Sequence, residues 1–131
     1  MKILNQQIFE NKEAAALPGL MESGGLPALV SGLSGIHRVN LAAALYERLE
    51  LPMFVVCPDD SAAESFTRDL ESMLGRPVST LYSRDFTFYP SLAASREAEQ
   101  KRLYVLNALR CGESPVTVAT VSALMQRAIP P

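Results

Sequence analysis

A single histidine and two cysteines are all that this chain of 131 residues offers for imidazole or thiolate ligation of a metal and for thiol chemistry. His37 stands alone, with no partner at the spacing of a catalytic triad or a metal site. Cys57 and Cys111 fall at the expected ends of a strand and a helix, too few to define a disulfide framework, and read as buried or half-buried free thiols. No apolar run approaches the ~20 residues that a membrane span needs. Met1 to Gln7 lack the basic start and continuous apolar run of a secretory signal, so a cytoplasmic chain without a membrane partner is the expectation. Positive charge is scarce too: 12 Lys and Arg against 14 Asp and Glu leave a net charge of -2. With a pI near 5.4, no global field draws the chain onto nucleic acid.

What remains is ordinary globular material, 48% hydrophobic and 20% charged, in a length that suits one domain. Asn11 to Met21, rich in Ala and Leu, predicts a short helix closed by Glu22-Ser23-Gly24-Gly25; residues 1–24 are expected to form a helical appendage and 25–131 the domain. Pro27 to Ser31 predicts a first strand, followed by a glycine loop and a helix over Val39 to Glu50 with Leu41, Ala44, Leu45 and Leu49 inward. Met53 to Cys57, apolar throughout between Pro52 and Pro58, predicts a strand buried on both faces. Ser61 and Glu64 form a capping-box pattern that opens a helix to Leu74, with Gly75 as its stop.

Pro77 to Tyr82 predicts a third strand, and Ser83 to Ala94 a loop with anchored aromatics. Ser95 is the expected cap of a helix over Arg96 to Arg110, with Leu103, Leu106 and Leu109 inward and Arg96, Glu97, Glu99, Lys101 and Arg102 solvated. Pro115 to Ala119 completes the set as a fourth strand, and Thr120 or Ser122 caps a last short helix. Strands alternating with helices predict an α/β fold in three layers, a mostly parallel sheet of about four strands with helices on both faces.

The glycine loop is the most informative stretch. A phosphate loop reads G-x-x-x-x-G-K-[ST] between a strand and a helix. Here Gly32, Ser34 and Gly35 keep the frame, but His37 puts an imidazole where bare backbone must approach a phosphate. Arg38 replaces the lysine point charge with a planar fork, and Val39 has no hydroxyl for magnesium. No acidic D-E-x-x sequence follows any strand to hold that metal. The loop therefore reads as a degenerate phosphate loop, its helix N-terminus still able to attract an anion weakly.

Two other constellations carry chemistry. Asp59-Asp60 follows a strand, where α/β active sites gather, though the same residues suit a turn into a capped helix. Tyr82, Phe86, Phe88 and Tyr89 with Arg84 and Arg96 suit either loop anchoring or a stacking surface for single strands. A stand-alone nucleotide-binding protein or small phosphate-loop enzyme, and a single-strand nucleic-acid adaptor, are the alternatives these features allow.

Taken in order, Val30 to Gly35 (VSGLSG), Val55 to Asp59 (VVCPD), Arg84 to Pro90 (RDFTFYP), the Arg102-Leu103 and Val105-Leu106 pairs, and Val118 to Arg127 (VATVSALMQR) resemble the amino-terminal domain of bacterial transcription-repair coupling factors. The resemblance covers nearly all of 25–131. It implies a P-loop-like, RecA/helicase-like fold akin to excinuclease B, the damage-recognition component of the excision nuclease, with the lysine and hydroxyl of the loop lost and no catalytic site. Ser83 to Pro90 is too short for the tyrosine-rich hairpin with which excinuclease B holds DNA. By the same resemblance the chain is a fragment of a much longer translocase that displaces stalled RNA polymerase and recruits nucleotide excision repair. The implied partners are the rest of the same polypeptide, excinuclease A through an adjoining domain, and RNA polymerase and DNA through the parent. ATP and Mg would serve the parent's motor domains, and no cofactor is expected here.

Overall fold

In a computed structural model the described residues are 8–25, 27–83 and 92–126. They form an α/β protein whose three strands lie in one parallel sheet, β1 (Met53–Cys57), β2 (Ser79–Leu81) and β3 (Val116–Thr120), in the order β1-β3-β2. The helices are α1 (Lys12–Glu22), α2 (Gly35–Leu49), α3 (Asp60–Leu74), α4 (Leu92–Cys111) and α5 (Val121–Met125). The expected strand over Pro27 to Ser31 is absent: these residues run without a ladder, and Leu29 is 95% exposed. A strand is stabilised by its neighbours rather than locally, and no partner strand meets this one among the described residues.

The chain divides into two compact units, one of described residues up to Leu51 with Arg68–Arg76, the other of Pro52–Thr67 with described residues from Pro77 onward. In the first, Asn11 caps α1 by accepting the Glu13 amide at 2.9 Å, as Asx caps do. Pro18 lies inside that helix and is buried. A short 3-10 turn, Ile8–Glu10, brings Phe9 beneath the Arg48 guanidinium, 5.0 Å from its centroid, and Arg76 stacks on Tyr46 at 4.7 Å while also donating to its hydroxyl. Helix α2 starts at Gly35, four residues earlier than the sequence pattern indicates, and buries Val39, Leu41, Ala43 and Ala44. Leu45 and Leu49 are only half-buried.

The second unit is built around β3. Each of its five residues is buried, because it alone among the described strands has a strand on either side. Partners in a parallel ladder share a face, so Phe54, Thr117 and Ser79 lie together, as do Val56, Ala119 and Leu81. On that face Leu81 and Ala119 pack with Val105 of α4 and Ala123 of α5, and Leu106 and Leu109 flank them. On the opposite face Thr67 of α3 hydrogen-bonds Thr80 at 3.1 Å. Thr117, fully buried, shares a 2.8 Å hydrogen bond with Ser114, so neither hydroxyl is left unpaired.

Several expected boundaries shift. Asp59, not Ser61, caps α3, its carboxylate accepting the Ala62 amide at 2.8 Å. An aspartate one residue ahead of the helix outcompetes a serine already inside it. Helix α4 begins at Leu92, so Leu92 to Ala94 are helical and Ser95 lies within the helix rather than capping it. Thr120 caps α5 by accepting the Ala123 amide, as one of the two expected residues. The stops at Gly75 and Gly112 hold, with φ of 67° and 71°, values an L side chain resists.

The phase of α4 also differs. Leu103 is 48% exposed, whereas Arg102, expected in solvent, is 6% exposed. Its guanidinium donates to the carbonyls of Tyr82 at 3.1 Å, Ala123 at 2.9 Å and Gln126 at 3.5 Å. Tyr82 follows β2, Ala123 lies within α5 and Gln126 just past it, and a forked donor can serve several carbonyls at once. Arg102→Ala is expected to cost about 2 kcal/mol in urea denaturation. Arg102→Lys should recover only part of it; an unchanged midpoint for the alanine variant would refute the role.

Candidate functional site

The glycine loop is exposed over Ser31–Arg38 except at half-buried Leu33. Gly32 has φ of 80°, the left-handed geometry that favours glycine, and turns the chain toward α2. Ser34 stands at the N-cap, yet its side chain does not cap. Its hydroxyl is instead hydrogen-bonded to His37 Nδ1 at 2.9 Å. Arg38 bends back, Nε donating to the Leu33 carbonyl at 3.2 Å. Val39, at the magnesium-hydroxyl position of the pattern, is 2% exposed and faces the helix's buried side.

These contacts make the loop self-contained. The cation that should reach toward a terminal phosphate is tied to the loop's own main chain, and the site of the metal hydroxyl is an apolar group turned inward. What the loop retains is the first-turn amides of a helix, which favour anions without selecting a nucleotide. The residues present thus do not fit a magnesium triphosphate. Among the described residues no group of three or more His, Cys, Asp and Glu side chains could hold a metal ion.

Asp59 and Asp60 belong to the other unit, at the carboxyl end of β1. They serve different purposes. Asp59 caps α3, whereas Asp60 accepts a 3.2 Å hydrogen bond from Ser83 through Oδ2 while its Oδ1 is buried with no hydrogen-bond partner. Nearby Cys57 is buried and free, and its thiol pKa is pushed up by burial, with the Asp59 carboxylate adding to the shift. The carboxylates are thus divided between a cap and a strand-end contact, not held as an acid–base pair.

Arg84, Phe86, Phe88 and Tyr89 lie outside the described residues, so of the aromatic stretch only Tyr82 and Arg96 can be placed; both are exposed. The Glu97–Lys101 pair closes at 2.8 Å on the solvated face of α4, as its i,i+4 spacing predicts. Arg102 was not legible as a buried contact, since a Lys-Arg pair in a charged stretch gives no sign of which member turns inward. Of the three leucines expected inward, Leu106 and Leu109 flank the core and only Leu103 is exposed; the buried stripe runs through Arg102, Val105 and Ala108.

Against known proteins, the chain is similar to the transcription-repair-coupling factor of Bacillus subtilis (strain 168), with 32% identity over 125 residues. The match takes in 95% of this chain and 10% of that protein, so the chain spans about a tenth of the relative's length. The resemblance to coupling factors read from the sequence is borne out by this match. No protein-family model matches the chain, and no solved structure matches it. No helix among the described residues is long and apolar enough to cross a membrane.

The two thiols provide a check on this geometry. Cys111 is exposed and Cys57 buried, so alkylation near neutral pH should label Cys111 and reach Cys57 at least ~10-fold more slowly. Because the Cys57 pKa is raised on folding, its contribution to stability is complete below the unfolded thiol's pKa and is lost as pH rises through the raised value. Equal labelling rates would contradict the burial.

Proposed function

We propose that the chain is a non-catalytic module of a transcription-repair coupling factor, an ATP-dependent DNA translocase that displaces stalled RNA polymerase and recruits nucleotide excision repair. Its place is at the amino-terminal end of that protein. It keeps a P-loop-like frame akin to excinuclease B and works as a scaffold and interdomain regulatory piece. Its contacts are with the rest of the same polypeptide, and excinuclease A engages the adjoining domain. ATP and Mg act in the parent's motor domains, and RNA polymerase and DNA are reached through the parent in the cytoplasm.

The observation that carries this reading is the match along 95% of the chain to a coupling factor. The loop supports the catalytically silent part of it: Arg38 is tethered to Leu33 and Val39 is buried, leaving neither the lysine charge nor the magnesium hydroxyl. The net charge of -2 favours an intramolecular partner over a nucleic-acid groove.

Titration with Mg-ATP tests the reading. The chain is expected to show no saturable binding below about 1 mM, a free energy weaker than ~4 kcal/mol. In the complete polypeptide, Arg38→Ala should leave ATP hydrolysis unchanged. Micromolar binding that Arg38→Ala abolishes would overturn the silent-module reading in favour of a nucleotide-binding protein.

A further inference from the structure

One of the two outer strands of the sheet, β1, is unfinished at its edge and on one face. Among the described residues β1 pairs only with β3, and the Met53 amide donates to the Pro115 carbonyl at 2.8 Å. Consecutive residues of a strand turn their main-chain groups to opposite edges, so Val55 and Cys57 share that orientation toward β3. Phe54 and Val56 accordingly aim their N–H and C=O groups at the free edge. Their side chains lie on the face that α4 and α5 cover over the other strands, yet Phe54 is 46% and Val56 50% exposed.

That arrangement is at odds with how parallel sheets persist. All-parallel sheets have both faces covered, and exposed edges are ordinarily blunted by lysine, proline or a bulge. β1, reading Met-Phe-Val-Val-Cys, has none of these. A helix alone would cover Phe54 and Val56 but leave their main-chain groups unpaired. A strand brings both remedies, because a parallel addition needs a crossover helix that packs back on the sheet.

We propose that the free edge of β1 is a seam: a further strand of the same polypeptide, outside these 131 residues, adds in parallel beside Phe54 and Val56, and its crossover helix covers their side chains. The inference rests on reading the chain as part of a coupling factor, whose relative is about ten times longer than the matched region. The edge carries no charge, so the incoming strand is apolar where it meets Phe54 and Val56.

Residue-resolved amide hydrogen exchange on the complete polypeptide tests the seam. The Phe54 and Val56 amides are expected to exchange about 100-fold or more slowly than an unstructured chain, at any protein concentration. Fast exchange at Phe54 and Val56 beside protected Val55 and Cys57 would show a free edge and overturn the proposal. Protection that disappears on dilution would overturn it too, assigning the edge to a second copy. If the complete polypeptide lacks motor motifs, the coupling-factor reading itself fails; if it has them and the two amides exchange freely, the seam alone fails.

Discussion

The second unit depends on β3 having a strand on either side. Val116 to Thr120 are all buried, including Thr117 and Thr120, whose hydroxyls are used by Ser114 and by the first turn of α5. Among the described residues each flanking strand has its ladder with β3, so the order β1-β3-β2 makes the last of the described strands the organiser of the two before it. Closing that sheet requires contacts between Met53 and Val116, far apart in the chain, before any local reward is gained. Burial of Val118 and Ala119, both fully inaccessible, supplies the apolar free energy that offsets this ordering.

Arg102 extends that centre to the sheet's carboxyl end. A buried cation is costly unless its donors are used, and here they reach three main-chain carbonyls, one after β2 and two in or just past α5. One guanidinium thereby links the segment after β2 to α5, two segments that share no ladder. The Thr67–Thr80 contact does similar service on the opposite face with two neutral hydroxyls.

Local signals in the sequence were good guides, and non-local ones were not. The α/β class, the strands at Met53 and Val116, the glycine stops and the Thr120 cap follow from residue type at a single place. The expected strand over 27–31 failed because strand propensity counts only where a ladder exists to join, and none meets it among the described residues. β1 was expected to be buried on both faces from its unbroken apolar run, but that composition records what the strand can tolerate rather than what covers it; Phe54 and Val56 are half exposed. At the glycine loop, the missing lysine and hydroxyl were plain in the sequence. The return of Arg38 to Leu33 and the pairing of Ser34 with His37 were not, since several rotamers satisfy the same spacing.

Those loop contacts bear on what the exposed glycine loop has left to offer a ligand. A working loop keeps its main-chain amides and its cation unsatisfied until ligand arrives, an arrangement that costs stability in the empty state. Here the hydroxyl of Ser34 and the guanidinium of Arg38 have found partners within the loop, and Val39 has joined the buried side of α2. Each of these side chains is thereby engaged within its own segment. A lysine placed at position 38 would still leave Val39 buried and Ser34 engaged, so nucleotide binding would need several replacements at once.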